Sequence, residues 1–257
     1  EKNMLRDRAK GLKPVTDEEY KSFNEDNKEI VEEFLQNSTH LSKQSLKQYT
    51  SALNVFMKFV KDKLRNKPFY EISKREFLKY MTFLQNEGLS SSALKVKKSA
   101  VSSLVNYIET FVIDDDERYS TFRNFTKGLP AITANKVYDK VKITKEEYEY
   151  VMNILVEKKK YLQACWFAVA FNTAMRRNEI RQLKTEILEY DFGDKTYVDS
   201  HKIRGKGKSE DGKVVTYMIN KDAMKYIKLC IDNRGFESEY IFATKRGVIS
   251  EGWANDF

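Results

Sequence analysis

The chain has 257 residues, with 46 Lys and Arg against 38 Asp and Glu, for a formal charge of +8 at neutral pH. At about one to two hundred residues per domain this length suggests two domains, and a hydrophobic fraction of 41% with 13% aromatics argues against general disorder. No apolar run is long enough to span a membrane, and Glu1 to Pro14 is charged where a secretory leader would be apolar. A cytoplasmic protein with no membrane partner is therefore expected. The two cysteines, Cys165 and Cys230, occupy apolar positions of a helix-like pattern, and the two histidines are His40 and His201. A disulfide framework, a zinc site and a Ser-His-Asp triad are poorly supplied by this set, so no metal or cofactor is expected. The positive excess fits an anionic partner, nucleic acid first among them, although charge alone does not separate binders from merely basic proteins.

In chain order, a capping box at Thr16 to Glu19 opens a segment whose apolar residues, Tyr20, Phe23, Ile30, Val31, Phe34 and Leu35, predict one helix or two short ones. From Ser42, the positions Leu46, Tyr49, Leu53, Phe56, Val60 and Leu64 recur at three and four, which predicts an amphipathic helix closed by Pro68. A second capping box, Ser73 to Glu76, starts a helix carrying Phe77, Tyr80, Met81 and Leu84 and ended by Gly88. A third helix buries Leu94, Val101, Leu104, Val105 and Ile108 and holds Lys95, Lys97 and Lys98 near its start. A further helical stretch is expected around Tyr119 to Phe125, before the Gly128-Leu129-Pro130 breaker.

Ala131 to Lys142 lacks periodicity and reads as a linker. Beyond it, a capping box at Thr144 to Glu147 starts a helix through Tyr148, Val151 and Leu155, and a more apolar helix from Tyr161 to Asn172 should be central. Lys195 to Ile203 and Lys213 to Ile219 are rich in β-formers and flank a Gly/Lys-rich turn, which predicts a hairpin. Asn220 can cap a helix with Ala223, Ile227 and Cys230, and Tyr240-Ile241-Phe242 leads through Gly247. The expected fold class is mostly α with a small antiparallel β hairpin or sheet. The expected organisation is an N-terminal helical arm over 1–38, a helical domain over 39–130, a linker over 131–142 and an α+β domain over 143–257.

The segment Thr173-Ala174-Met175-Arg176-Arg177-Asn178-Glu179-Ile180-Arg181-Gln182-Leu183 resembles the first catalytic box of the tyrosine recombinases, the phage integrase family, usually written T-G-[LM]-R-x-x-E-[LI]-x-x-L. The resemblance implies that Arg176 is the first catalytic arginine, gripping the scissile phosphate, and that Glu179 is the acidic residue supporting it. A guanidinium offers a planar fork of donors to two phosphate oxygens; read without the family, the same two residues are an i, i+3 surface pair. Ile203-Arg204-Gly205-Lys206-Gly207-Lys208 is similar to the family's lysine-bearing turn, which implies that Lys206 is the catalytic lysine and that Gly205 and Gly207 let the backbone bend closely against DNA. Taken alone this turn could be an exposed hairpin whose lysines serve solubility. By resemblance, the helices from Ser42 to Pro130 form the family's core-binding domain and 143–257 a catalytic-like domain.

The family completes its site with an H-x-x-R box, a further His or Trp and a tyrosine nucleophile. No histidine follows His201, Trp253 stands without such boxes, and the last tyrosine is Tyr240. Without a nucleophile there is no covalent intermediate, so the expectation is a catalytically inactive, sequence-specific, double-stranded DNA-binding regulator, such as a prophage or mobile-element repressor. Two alternatives stand beside it: an active recombinase whose C-terminal segment is missing from 143–257, and a basic helical protein-interaction scaffold. The expected DNA contacts are Gln44, Lys47 and Gln48 as base readers, and Lys95, Lys97, Lys98, Arg176, Arg177, Arg204, Lys206 and Lys208 on phosphate. Ala174 replaces the usual Gly, and Arg177 and Arg181 add positive charge near the inferred DNA surface. A homo-oligomer on DNA, associated with the nucleoid of a bacterial or phage-infected cell, follows from the family.

Overall fold

Helix starts in this chain are written as side chains able to accept the free backbone N–H groups of a first turn. Thr16, Ser73 and Thr144 each form a reciprocal capping box with the glutamate three residues on, and Asn24, Ser42, Ser90 and Asn220 cap through the side chain alone. In the computed structural model, which describes residues 11–132, 142–205, 207 and 212–255, the chain divides into two units, Glu1–Lys140 and Val141–Phe257.

The first unit holds α1 (Asp17–Lys21), α2 (Glu25–Asn37), α3 (Lys43–Lys63), α4 (Lys74–Asn86) and α5 (Ser91–Tyr107), the last running into a π-helical turn at Ile108–Val112. The N-terminal segment is thus two helices. Its Phe23, Ile30, Val31 and Phe34 join the same buried cluster as α3 to α5. Phe56 on α3 is the hub of that cluster. Its ring centroid lies 5.4 Å from Phe69, 5.8 Å from Phe77, 4.9 Å from Tyr80 and 6.1 Å from Phe125, within the range of favourable aromatic pairs.

The helix expected over Tyr119 to Phe125 is absent. A 3-10 turn covers Glu117–Tyr119 and the following residues form turns. Tyr119, Phe122 and Phe125 are all buried, and their spacing of three imitates a helical stripe. The backbone goes elsewhere because Asn124 Oδ1 accepts from both the Thr126 N–H (3.0 Å) and its hydroxyl (2.7 Å), a local turn that competes with helix. The expected linker lies, between its first two residues and Lys142, outside the described residues.

In the second unit, α6 (Lys145–Glu157), α7 (Tyr161–Thr173) and α9 (Lys221–Asn233) pack together, with a short α8 (Arg177–Ile180) between α7 and the strands. Helix α7 buries Ala164, Cys165, Trp166, Ala168 and Val169, as a helix covered by α6 on one flank and α9 on another must. Cys165 and Cys230 are free, buried and in contact across α7 and α9. The predicted hairpin forms as two short antiparallel ladders. One pairs β1 (Tyr197–Asp199) with β4 (Met218–Asn220), with Val198 opposite Ile219; the other pairs β2 (Ile203–Gly205) with β3 (Lys213–Val215), with Arg204 opposite Val214. The ladder breaks at Ser200, whose hydroxyl accepts the Tyr217 N–H at 3.0 Å in place of a carbonyl. A two-residue pair, β5 (Ala243–Thr244) with β6 (Gly247–Val248), follows α9, and Trp166 packs edge-on against Phe242 and Trp253.

The Tyr80 hydroxyl is fully buried without a hydrogen-bond partner among the described residues, and burial pushes its pKa far up. Replacing Tyr80→Phe removes an unsatisfied polar group while keeping the ring, so the variant should be about 1 kcal/mol more stable. Denaturant unfolding of the full chain reads this directly; a destabilised variant would contradict it.

Candidate nucleic-acid interface

The arginine box owes its shape to four consecutive residues. Thr173 ends α7 by bonding back to the Val169 carbonyl (2.7 Å) and accepting the Met175 N–H (3.2 Å). Ala174 then turns the chain in the left-handed region, at φ 53° and ψ 24°. Met175 is buried as an anchor, and Arg176 is extended at the cap position of α8 with its side chain 68% exposed. One turn on, Glu179 is only 3% exposed. The glycine usual in the family is explained here by backbone conformation, since the αL position suits glycine and strains alanine. Ala174 adopts that conformation all the same, so the turn survives the replacement.

Glu179 is the centre of the site. Its Oε1 accepts from Arg176 Nη1 at 2.8 Å, and its Oε2 accepts from the Arg176 backbone N–H at 2.7 Å and from the Tyr217 hydroxyl at 2.6 Å. Burial alone would raise the Glu179 pKa, but the hydrogen bonds from Tyr217 and Arg176 outweigh it and hold the carboxyl below its ordinary value. Burial and the Glu179 charge push the Tyr217 phenol up. The arrangement can fix a guanidinium that keeps donors free for an external anion, which is what binding a phosphate requires.

The hairpin is docked against this box. Gln182 Nε2 donates to the Arg204 carbonyl and Gln182 Oε1 accepts the Arg204 N–H, each at 2.9 Å. A Cβ at Gly205 would lie 3.1 Å from the Lys213 carbonyl oxygen and 3.3 Å from Glu179 Oε1; one at Gly207 would lie 2.5 Å from the Lys213 nitrogen. Beside the expected close approach to DNA, both glycines are tightly packed within the hairpin itself, Gly207 against the Lys213 backbone and Gly205 against Lys213 and Glu179. Lys206 and Lys208 lie outside the described residues.

The remaining predicted residues fall into groups. Arg177 is exposed and donates to Asn255 Oδ1 at 2.8 Å, and Arg204 is exposed on β2. Arg181, expected to add charge at the DNA surface, is instead 21% exposed and tied through Nε to the Ile249 carbonyl at 2.7 Å. Its guanidinium is used to hold the segment after β6 against α8. In the first unit, Gln44, Lys47 and Gln48 are exposed at i, i+3 and i+4 of α3 and share one face. Lys95 and Lys98 share a face of α5, whereas Lys97 points away from Lys95 and is half buried, with its pKa drawn down by burial. His201 is structural: its Nε2 accepts the Lys184 N–H at 3.0 Å. Sequence reasoning missed Tyr217 and Gln182, because the contacts they make join positions 38 and 22 residues apart. No group of metal-ligating side chains occurs among the described residues, and none of their helices is long and apolar enough to cross a membrane.

Residues 142–251 match the phage integrase family, and residues 29–114 match the phage integrase N-terminal SAM-like domain. The chain belongs to the phage integrase, or tyrosine recombinase, family. Over all of its length this integrase-family chain is 47% identical to the SPbeta prophage-derived recombinase-like protein YomM of Bacillus subtilis (strain 168), of which it covers 78%. Among solved structures, the Tn1549 transposon integrase in complex with transposon right end DNA is 14% identical, with a TM-score of 0.64 over 89% of this chain and 74% of that one. A lambda integrase dimer bound to a COC' core site is 16% identical, with a TM-score of 0.62 over 88% of this chain and 60% of that one. These likenesses show the tyrosine-recombinase fold, helical first and α+β second.

Two predictions come from the box. Ala174→Gly relieves the left-handed alanine and should raise stability by up to about 1 kcal/mol in thermal or denaturant unfolding. Glu179 has a folded pKa below its ordinary 4.5, so its contribution to stability is present above that value and lost as pH falls through the lowered one. The stability gap between the native chain and Glu179→Gln should therefore be widest near neutral pH and shrink below pH 4.5; a gap independent of pH would refute the charge-based account.

Proposed function

We propose that this chain binds double-stranded DNA, with Arg176 gripping a backbone phosphate, and that it acts as a sequence-specific regulator that does not form a covalent link to DNA. The observation that carries the phosphate grip is the exposed Arg176 guanidinium fixed by the buried Glu179 carboxylate. Bidentate arginine on phosphate is among the stronger charge-assisted contacts, and the box in which it sits is the one the family uses for that purpose. The exposed face of Gln44, Lys47 and Gln48 supplies candidate base readers, and Lys95, Lys98, Arg177, Arg204, Lys206 and Lys208 supply candidate phosphate contacts. Lys97 is the weakest of these because its charge is partly desolvated.

The non-covalent reading draws on the tyrosine whose hydroxyl meets the carboxylate that holds Arg176. The Tyr217 hydroxyl donates to Glu179, the carboxylate that fixes Arg176, which gives it a supporting place in the site. A second reading, an active recombinase, is favoured by the 47% identity to a recombinase-like protein of which about a fifth lies beyond the match. Assembly of several copies on DNA is part of either reading, by analogy with the lambda integrase dimer on a core site and the tetramer on a Holliday junction.

The test is to incubate the chain with fragments of duplex from its own genome, sequence the retained fraction, and run the complexes on a denaturing gel. Discrete sites without adducts are expected, and Arg176→Ala should weaken binding roughly ten- to hundredfold, the size of a lost charge-assisted contact. Covalent adducts would turn the assignment to the recombinase, and binding that shows neither enrichment nor salt dependence would discard the DNA reading.

A further inference from the structure

The hairpin and the arginine box are joined at both strands. On the outgoing strand, the Gln182 side chain pairs with both backbone groups of Arg204 on β2, in the manner of one rung of a sheet. It is held to α8 by a third bond, from Nε2 to the Asn178 carbonyl at 2.8 Å. On the return strand, Tyr217, between β3 and β4, reaches Glu179 Oε2 at 2.6 Å. Gly205 allows the closeness, since a side chain there would press on Glu179 Oε1 and the Lys213 carbonyl.

The Arg176 side chain is long, mostly exposed and, among the described residues, held by one hydrogen bond, from Nη1 to Glu179 Oε1. Such a side chain has much rotamer freedom to lose on binding an anion. How much is already lost depends on how firmly Glu179 is fixed. Its other oxygen takes two donors, the Arg176 N–H from the box and the Tyr217 hydroxyl from the hairpin. The first comes from the box itself; the second is the side-chain bond that ties the carboxylate to the hairpin.

We propose that Tyr217, seconded by Gln182, is a positioning residue that pre-orients Arg176 for phosphate through Glu179, so that the hairpin and the arginine engage DNA as one unit. This rests on the proposed phosphate grip of Arg176. Neither residue touches the ligand. Coupling of this kind is reciprocal: whatever the hairpin contributes to the pose of Arg176, a phosphate on Arg176 returns to the docking of the hairpin.

The experiment is a double-mutant cycle on the full chain, with a fluorescently labelled duplex of mixed sequence and binding read by anisotropy over a salt series. Arg176→Ala should weaken binding by about tenfold or more, and Tyr217→Phe by roughly threefold to tenfold. In the Arg176→Ala background, Tyr217→Phe should have no further effect, because there is no guanidinium left to orient. The magnitude of the slope of log affinity against log salt should fall in both single variants, by up to about 0.9, one phosphate's share. Gln182→Ala should show the same dependence on Arg176. A merely structural role for Tyr217 would weaken binding equally in both backgrounds and leave the slope alone; that outcome, or no effect of Tyr217→Phe beside a clear effect of Arg176→Ala, overturns the positioning role and leaves the phosphate grip standing. No effect of Arg176→Ala overturns the grip itself and the positioning role with it. Melting curves of each variant identify any that fail to fold, and Gln182→Ala then carries the cycle in place of Tyr217→Phe.

Discussion

A carboxylate removed from water needs donors, and the burial of Glu179 organises the second unit around that need. An ionised carboxyl in a protein interior costs several kcal/mol unless its lone pairs are met. Here they are met by Arg176 through both backbone and side chain and by Tyr217. Those donors come from a helix start and from the return strand of a hairpin, so the α7–α8 turn and the hairpin have to meet. Gly205, flush against the carboxylate, and Gln182, bonded to Arg204, are consequences of that meeting. The exposed guanidinium is the part left over for an outside anion.

The arginines of this unit divide their donors very differently, so net charge is a poor map of a nucleic-acid surface. Arg234 spends its guanidinium on three backbone carbonyls, those of Phe236, Ser238 and Tyr240. It acts as a clip on the loop after α9. Arg181 secures the segment after β6 in the same manner. Arg176, by contrast, anchors one nitrogen and stays 68% exposed. Lysines obey the same distinction in the first unit, where Lys97 is half buried and Lys95, two residues before it, is exposed. Only cations whose donors are not already used inside the fold can release counterions on binding.

Much of the architecture was legible in the sequence because its signals are local. Side chains able to cap at Thr16, Ser73, Thr144 and Asn220 marked helix starts, since a hydroxyl or amide oxygen reaches an N–H two or three residues on regardless of the rest of the chain. Apolar spacing gave α3 to α5, and the run from Thr173 to Leu183 gave the arginine box, because helical faces and short motifs are written within one or two turns. The same locality misled at Tyr119, Phe122 and Phe125, where a spacing of three came from a turn and not from a helix. Aromatic burial looks alike in both, and the Asn124 turn that separates them depends on a single side chain.

What only the tertiary structure decided is which of these residues meet. The sequence by itself determined a helical first unit, an α+β second unit and the identity of Arg176 and Glu179 as a pair, all of which rest on neighbours in the chain. It did not determine that Tyr217 completes the pair, that Gln182 holds the hairpin, or that Arg181 is consumed by the Ile249 carbonyl. Those contacts join residues from 22 to 68 positions apart, and no periodicity or cap carries information over such a distance. They exist because the folded chain brings donors and acceptors from distant positions within hydrogen-bond reach of one another.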